Sequence, residues 1–406
     1  MANNFKNTDL VTKIAVKEFL NASVLIAKVD RQLDGQFRKV GASIDVRRPV
    51  MFEATDGAAI SSASDIEERA VTVMLDKRKK VNFEVTSQDM TLNVEDMTER
   101  YIKPAMIELA QKVELDIAAE YKNIATFTGT PGTAPSTLLE IAKAGALLTS
   151  LGVEKGSRCL AVDADTSVTL ANGLKDVYPG NIAKKAIEEA TVGRYGGFDI
   201  YESNSLAVHT VGALGGTPLV KGANQNTTYA LAGDSGQQSL IVDGWSNSVT
   251  NVLLAGDVFT IAGVNSVNRR TRVTTGKLQT FTITANASSN GSGETTLTIS
   301  PAIIISGPYQ TVAAAPADNA ALVIKTGAAN SSHVQNLGFH KNAITLAMAP
   351  LDMPTDGASA SRASYDNVSI RAVRQYDITN DKTVFRFDIL YGTKVQNEGY
   401  AMRLTS

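Results

Sequence analysis

Three histidines and one cysteine are the residues of this 406-residue chain best suited to metal binding or nucleophilic catalysis. His209, His333 and His340 do not adjoin one another, and none belongs to an HExxH motif. The chain has no CxxC pair, so the sequence predicts no zinc site of standard spacing. Cys159 lies in the apolar stretch 157–163, SRCLAVD, where a thiol is usually an inert packing group. We therefore predict neither a zinc centre nor a cysteine nucleophile.

Two further patterns resemble binding motifs, but their spacing is wrong. Asp163 and Asp165 begin like a calcium loop, yet Val168 stands where an EF-hand loop needs glycine. We expect Asp165 to cap a helix that follows a strand-to-helix turn. The glycines of GRYGG (193–197) precede a strand, whereas a dinucleotide fingerprint follows a strand and opens a helix. With no catalytic constellation, the sequence predicts no enzyme and no cofactor.

Charge is concentrated in one predicted hairpin. DKRKK (76–80) is the densest charge cluster, but it is short, and no aromatic residues interleave with it as in a nucleic-acid patch. Such a run is usually a solvated face. Acidic residues lie at the tip of the same hairpin, so opposite charges can meet between two copies of the chain, giving register more than net stability. The candidate inter-subunit contacts are Arg47, Arg48, Asp65, Glu67, Glu68, Lys77, Arg78, Lys79 and Lys80.

Composition excludes several classes of protein. The formal net charge is -2, so no global field draws the chain to nucleic acid or to an acidic membrane. Apolar residues make up 43% and charged residues 20%, which is typical of a soluble protein. No stretch approaches the roughly 18 apolar residues of a membrane span, and the N-terminus lacks the apolar core of a signal peptide. A single cysteine allows no intrachain disulfide and favours a reducing compartment.

The first 90 residues predict an arm and a hairpin. Residues 8–28 have helical periodicity and form an amphipathic arm, which needs a surface to lie on. Two alternating segments, 37–52 and 70–86, read as strands. They flank the small, polar and acidic segment 53–68. This arrangement predicts an extended hairpin, which is marginally stable alone and rests on another surface.

A long helix and a mixed section follow. Apolar residues recur every three or four positions over 93–125, so we predict a spine helix that Pro104 bends or divides. Thr137 and Glu140 have the spacing of a capping box for a further helix. The stretch 157–163 predicts a buried strand. The section as a whole is mixed α and β.

The composition of the chain changes at about residue 222. Only ten residues of 222–335 are Asp, Glu, Lys or Arg, and short strands alternate with turn sequence such as NASSNGSG. This pattern predicts an all-β sandwich or small barrel. After residue 338 the chain again has the composition of its first half, with long antiparallel strands in 369–395. A β module is therefore inserted within an α+β core.

The order of these parts resembles the major capsid protein of tailed bacteriophages, in the subfamily of podovirus coat proteins with an insertion domain. VDRQLDGQFRKVGASIDVRRPVMF is similar to the passage from the N-arm into the extended loop of that family. GRYGGFDIYESNSLAVHT is similar to the stretch before the insertion, and GDVFTIAGVN to a strand within it. NLGFHKNAITLAMAPL resembles the segment that leaves the insertion, so we interpret His340 as a polar residue at that junction.

The resemblance implies the α+β tailed-phage capsid (Johnson) fold in seven segments. They are an N-terminal helical arm (1–36), an extended-loop (E-loop) hairpin (37–90), the peripheral-domain spine helix (91–126), the first part of an axial domain (127–222), an inserted β-barrel or sandwich domain (223–337), a return to the axial domain (338–375) and peripheral-domain strands (376–406).

The same resemblance implies function and partners. The chain is expected to assemble with itself, as hexamers and pentamers, into an icosahedral shell. Some capsids of this fold form a lysine–asparagine cross-link between subunits, and because no pattern in this sequence identifies such a pair, we predict non-covalent assembly. A scaffolding protein and a portal protein are the expected partners, and the shell encloses double-stranded DNA without sequence-specific binding and without a membrane. Assembly in the host bacterial cytoplasm is expected, with the virion capsid as the final location.

Three other functions remain open on the sequence alone. An encapsulin-like compartment has the same fold, but the large insertion disfavours it. A phage tail or adhesin protein accounts for the β module and leaves the spine helix and hairpin unexplained. An enzyme with a β-sandwich binding module needs catalytic residues that the sequence does not supply.

Overall fold

The computed structural model describes residues 7–31, 43–48, 50–52, 70–86, 98–174, 193–225, 236–354 and 358–406. The predicted acidic tip of the hairpin, with Asp65, Glu67 and Glu68, lies outside the described residues. No helix in the described ranges is long and apolar enough to cross a membrane. The chain forms two compact units. The first unit comprises Met1–Asp45, Thr72–Ile117 and Ile344–Lys394, and the second comprises Val46–Val71, Ala118–Ala343 and Val395–Ser406.

The described elements are mainly strands. The α-helices are α1 Asn7–Asn21, α2 Lys103–Ala118, α3 Leu138–Ser150 and α4 Ala164–Leu174. The strands are β1 Ser43–Arg47, β2 Ala70–Met74, β3 Lys77–Thr86, β4 Phe127–Gly129, β5 Arg158–Val162, β6 Arg194–Tyr195, β7 Phe198–Glu202, β8 Val208–Thr210, β9 Gly216–Val220, β10 Gln238–Trp245, β11 Val258–Val267, β12 Thr274–Ile283, β13 Thr295–Ser300, β14 Leu322–Ile324, β15 Ser332–His340, β16 Ile344–Ala349, β17 Ser359–Tyr365, β18 Val368–Asp377, β19 Lys382–Val395 and β20 Ala401–Thr405.

Within the described residues these strands form four sheets. β1 and β2 pair in a two-stranded sheet, as the predicted hairpin requires. A five-stranded sheet has the order β16-β19-β18-β17, with β3 on β19. A six-stranded sheet has the order β14-β11-β12-β13-β10-β9. A seven-stranded sheet has the order β4-β20-β15-β5-β7-β6, with β8 on β15.

In the first unit the N-terminal helix lies on the five-stranded sheet. α1 packs on β17 and β18. Its side chains Val16 and Phe19 are fully buried, and Thr12 contacts Ser361 of β17 through its hydroxyl. The amphipathic arm predicted from periodicity is therefore present, and the five-stranded sheet is the surface that it needs.

Glu114 of α2 holds the chain just after this arm. Its carboxylate accepts hydrogen bonds from the backbone N–H groups of Val24 and Leu25, the latter at 2.7 Å. Burial raises the pKa of Glu114 even though these hydrogen bonds lower it. A buried carboxylate is tolerated here because backbone donors satisfy it. The spine helix therefore fixes the end of the arm through one side chain.

The spine helix is composite. A π-helical turn, Thr98–Ile102, leads into α2, and the 3-10 turn Ala119–Asn123 follows it. Pro104 is the second residue of α2, where the first turn of a helix tolerates proline. Of the two predicted alternatives, a bend at Pro104 or a division of the helix, the change from π-helix to α-helix at residue 103 agrees with the division. Phe83 of β3 stacks on Tyr101 at 5.8 Å between ring centroids, which packs the sheet against the start of this helix.

In the second unit α3 covers the seven-stranded sheet. The predicted capping box is present, because the Thr137 side chain accepts from the N3 backbone and Glu140 accepts from the backbone N–H of Thr137. β5 is buried at every position, as predicted. α4 begins at Ala164, so Asp165 lies in its first turn and is not the cap. The helix starts one residue earlier than expected, and a negative charge in its first turn is still favourable.

One glycine of α3 permits a close approach to the β6–β7 turn. A Cβ added at Gly145 lies 2.2 Å from the carbonyl oxygen of Gly196. Alanine normally stabilises a helix interior relative to glycine by about 0.5–1 kcal/mol. Here we expect Gly145→Ala to lower the free energy of unfolding by about 2 kcal/mol, because backbone must move. Urea unfolding measures this change, and Gly156→Ala, whose Cβ meets nothing within 4 Å, is the control. A stabilised Gly145→Ala variant contradicts the prediction.

The six-stranded sheet has its own core. All of its pairings are antiparallel, and buried and exposed residues alternate along β10 and β13. The all-β module predicted from short strands and turn sequence is confirmed. Its buried apolar side chains include Leu240, Val242, Phe259, Ile261, Phe281, Ile283, Leu297 and Ile299.

The strand pairing departs from the predicted segmentation 1–36, 37–90, 91–126, 127–222, 223–337, 338–375 and 376–406. The six-stranded sheet begins at β9, before residue 223, and β15 runs across the boundary at 337 within the seven-stranded sheet. β3, assigned to the hairpin, pairs with β19. β16 to β18 join the five-stranded sheet, whereas β20 joins the seven-stranded one. Alternation identifies a strand but not its hydrogen-bonding partner, so the sequence did not assign these strands to sheets.

Candidate inter-subunit contact site

Three of the four cations of the predicted charge run contact groups of their own chain. Lys77 donates from Nζ to the Thr393 hydroxyl at 2.7 Å. Lys79 pairs with the carboxylate of Asp116 on α2 at 3.1 Å. Arg78 pairs with Asp388 of β19 at 2.7 Å. Lys80 is exposed and has no ion-pair partner among the described residues. Successive side chains of β3 therefore lie on opposite faces of the sheet, with Lys77 and Lys79 on one face and Arg78 and Lys80 on the other.

Asp388 is the centre of this site. Its side chain is 0% exposed and pairs with Arg78 at 2.7 Å, Arg371 at 2.6 Å and Arg386 at 3.0 Å. Arg371 binds it with two nitrogens, the geometry that is strongest for a guanidinium and a carboxylate. Burial alone raises the pKa of Asp388, but the hydrogen bonds from Arg371 and Arg78 and the nearby positive charges outweigh burial. The pKa therefore lies below its ordinary value.

Strand register extends this cluster across the sheet. Lys80 of β3 and Arg371 of β18 stand opposite Asp388, and Arg362 of β17 stands opposite Arg371. Opposite residues share one face of a sheet. We call this surface the basic sheet face, which comprises Arg78, Lys80, Arg362, Arg371 and Arg386 around Asp388. Five cations lie around one carboxylate, and three of them pair with it, so this part of the sheet has an excess of positive charge.

The remaining predicted contacts lie at the base of the hairpin. Arg47 is exposed at the end of β1. Arg48 is mostly buried and pairs with Glu398 at 3.3 Å, and Glu398 also faces Arg269 at 3.6 Å. Arg47 and Arg48 belong to the second unit, and Lys77, Arg78, Lys79 and Lys80 belong to the first. The acidic members lie outside the described residues.

A second cluster, which sequence reasoning missed, lies where the six- and seven-stranded sheets meet. β8 pairs with β15, which sets His209 opposite His333 with ring centroids 5.8 Å apart. His209 is fully buried between Asp257, at 2.9 Å from Nε2, and the Tyr121 hydroxyl, at 3.0 Å from Nδ1. No signal in sequence links these residues, because each comes from a different element.

Asp257 and Arg403 are the charges of this buried junction. Asp257 accepts hydrogen bonds from His209, the Thr326 hydroxyl and the backbone N–H groups of residues 212 and 254. Arg403 donates to the Gly256 carbonyl at 2.7 Å. Burial lowers the pKa of Arg403 to about 10. In the described residues no group of histidine, cysteine and acidic side chains is placed to hold a metal ion.

His340 ends β15, where the chain leaves the seven-stranded sheet. Its Nδ1 accepts the backbone N–H of Asn342 at 3.2 Å, and its ring meets Tyr400 edge-on at 5.6 Å. Burial lowers the pKa of His340 below its ordinary value. The 3-10 turn Lys341–Ala343 and the buried strand β16 follow. His340 is the last residue of β15 in the seven-stranded sheet, and its interpretation as the residue at the end of the insertion stays a prediction.

The buried histidine pair predicts acid sensitivity. Burial, with the charges of His209 and Arg403, lowers the pKa of His333 to about 4, and Asp257 opposes this shift. The unfolded chain binds a proton near pH 6.5 and the folded chain does not, so stability falls as pH decreases between these values. We expect His333→Gln to reduce the loss of unfolding free energy between pH 7 and pH 5 by about 2 kcal/mol. Urea titrations at both pH values measure it.

The matched control for this pH effect is His340→Gln, which removes a half-buried histidine. We expect the control to change the pH dependence less than His333→Gln does, because His333 is the more deeply buried of the two. Equal pH dependence in wild type and His333→Gln contradicts the prediction.

Comparisons with known proteins match almost the whole chain. The family model "P22 coat protein - gene protein 5" matches residues 1–401. The major capsid protein of Acyrthosiphon pisum secondary endosymbiont phage 1 is 24% identical over 418 residues, covering 96% of each chain. A Mycobacterium phage Che8 structure has a TM-score of 0.47 at 14% identity, covering 94% of this chain and 90% of that one. The CUS-3 coat protein I-domain is 32% identical, with a TM-score of 0.20, and covers 29% of this chain and 100% of that one.

The family match and the curated relative define the class: this α+β chain is a tailed-phage major capsid protein, which forms a shell. The chain belongs to the P22 coat protein family. The prediction that the chain is an α+β major capsid protein that forms a shell is confirmed, and neither the compartment nor the tail-protein alternative is favoured.

Proposed function

We propose that this chain assembles in the host bacterial cytoplasm, with a scaffolding and a portal protein, into a closed icosahedral shell around double-stranded DNA. The observation that carries the proposal is the family match over residues 1–401. The first unit, with its spine helix and five-stranded sheet, supplies the peripheral domain. The seven-stranded sheet supplies the axial domain, and the six-stranded sheet is the insertion.

Electron microscopy of the purified chain, alone and co-expressed with the scaffolding protein of its phage, tests this function. Closed shells of uniform size support it. Monomers or small rings under every assembly condition count against it. If shells form but never contain DNA in infected cells, the proposed assembly is supported and the proposed enclosure of DNA is contradicted.

The basic sheet face is proposed as one side of the contact between copies. Its excess positive charge complements the acidic residues Asp65, Glu67 and Glu68 of a neighbouring copy. Of its cations, Lys80 and Arg362 are exposed and make no ion pair in the described part of the chain, and Arg362 donates to the carbonyl of Leu351. An ion pair between Lys80 and one of these acidic residues of a neighbouring copy fixes the register between the copies more than it adds to their affinity.

Lys80→Glu is expected to raise the concentration needed for assembly about tenfold, and Glu67→Lys in the same chain is expected to restore part of the loss. Light scattering during assembly measures both. The control is Lys112→Glu, the same charge change on an exposed helical pair with Glu108. Assembly of Lys80→Glu at the wild-type concentration, or equal loss in the control, overturns this contact.

A further inference from the structure

Three of the ten charged residues of 222–335 lie in a single turn of the inserted sheet. The β11–β12 turn, residues 268–273, contains Arg269, Arg270 and Arg272. It is closed by its own hydrogen bonds, because Asn268 donates its N–H to Val273 and its carbonyl accepts the N–H of Arg272 at 2.7 Å. A closed turn of this kind holds its side chains in fixed directions.

The turn docks on the C-terminal end of α3. The Asn268 side chain donates to the carbonyl of Ser150 at 2.9 Å, and Arg270 pairs with Glu154 at 2.9 Å. The last carbonyls of a helix lack partners in the helix, and donors and positive charge are favourable there. The inserted sheet is thereby attached to the core at a defined point.

From this point the turn reaches the base of the extended loop. Arg272 donates from Nη2 to the backbone carbonyl of Phe52 at 2.8 Å, and the Phe52 side chain remains 66% exposed. Arg269 faces Glu398 at 3.6 Å, and Arg48 pairs with the other oxygen of Glu398 at 3.3 Å. All three of these ionic side chains are at least four-fifths buried. The loop base, Arg48 and residues 50–52, is therefore held at two places.

We propose that the β11–β12 turn of the inserted domain positions the base of the extended loop, with Arg272 and Arg269 as the positioning residues. The role of that loop in lapping a neighbouring copy rests on the proposed function. The contact itself does not, because it lies within one chain. On this proposal the insertion sets the direction in which the loop leaves the core, in addition to stabilising the subunit.

Backbone hydrogen exchange of the unassembled chain tests the proposal. We expect Arg272→Ala to speed exchange about tenfold in a peptide covering 46–52, and to leave β10 unchanged. Arg272→Lys, which keeps a donor, is expected to restore part of the protection. The matched control is Arg270→Ala, because Arg270 is exposed and belongs to the same turn, and its side-chain partners in the described structure are Glu154 and Tyr400 and not Arg48 or Phe52.

Each outcome separates positioning from general stability. Unchanged exchange at 46–52 in Arg272→Ala, or equal acceleration in Arg270→Ala, overturns the proposal. If Arg272→Ala does not fold, Glu398→Gln breaks the second contact through Arg48 and Arg269 and takes its place with the same readout. If Arg272 slows hydrogen exchange at 46–52 in a chain that never forms shells, this inference stands and the proposed function is rejected.

Discussion

Asp388→Asn is expected to lower the free energy of unfolding by about 3 kcal/mol, because it removes a buried charge and leaves its partners in place. Asparagine keeps the shape of the side chain, so packing is not the cause. Arg78 and Arg386 can turn toward water, whereas Arg371 is only 13% exposed and keeps at most one acceptor, the amide oxygen of the asparagine. Urea unfolding with a probe in the five-stranded sheet measures the loss.

The pH dependence gives a second measurement of the same group. The pKa of Asp388 is lowered in the folded chain, so its contribution is present above about pH 4 and is lost as pH falls through the folded value. We expect Asp388→Asn to lack this part of the acid destabilisation. The control is Glu84→Gln, which breaks an exposed pair with Lys382 and should change stability by less than about 0.5 kcal/mol. A loss below about 1 kcal/mol in Asp388→Asn contradicts the prediction.

Asp257→Ala is expected to lower the free energy of unfolding by about 3–5 kcal/mol, the largest of the expected losses. The reason is that it leaves buried hydrogen-bond donors without an acceptor. Four donors lose their acceptor, among them the side chains of His209 and Thr326. Arg403, which is fully buried nearby, loses the carboxylate whose charge opposes the effect of burial on its pKa. We expect low soluble yield and a large fall in the urea midpoint.

The control for this second prediction is Asp318→Ala, in the connection between β13 and β14. Asp318 is exposed and accepts one backbone hydrogen bond, from Gly222 at 2.8 Å. Its loss should cost about 1 kcal/mol or less. If Asp257→Ala is no more destabilised than this control, the buried junction does not hold the two sheets of the second unit together.

Local order could be predicted because its causes are local. The α1 arm, the join at Pro104 and the Thr137 capping box each depend on residues within one or two turns of a helix. The β module could be predicted for the same reason, since turn residues and short alternating strands stand next to each other in the chain. The order of these parts along the chain was enough to predict the family.

The hydrogen-bonded pairing of strands that are far apart in the chain could not be predicted. The alternation of β3 shows that one face is half-buried, but it is equally compatible with a hairpin partner and with β19. The sequence therefore places the charge run of β3 on an extended hairpin that contacts other copies. In the structure, Lys77, Arg78 and Lys79 contact groups of their own chain. Strand pairing, and not composition, decides which side chains share a face.

The sequence by itself determined the elements, the inserted β module and the class of protein. Only the tertiary structure decided which charged side chains lie close together. Asp388 with its arginines, and Asp257 with His209 and Arg403, are clusters of residues far apart in the chain. Their energies depend on distances of about 3 Å and on exclusion of water, and neither quantity exists until the sheets have formed.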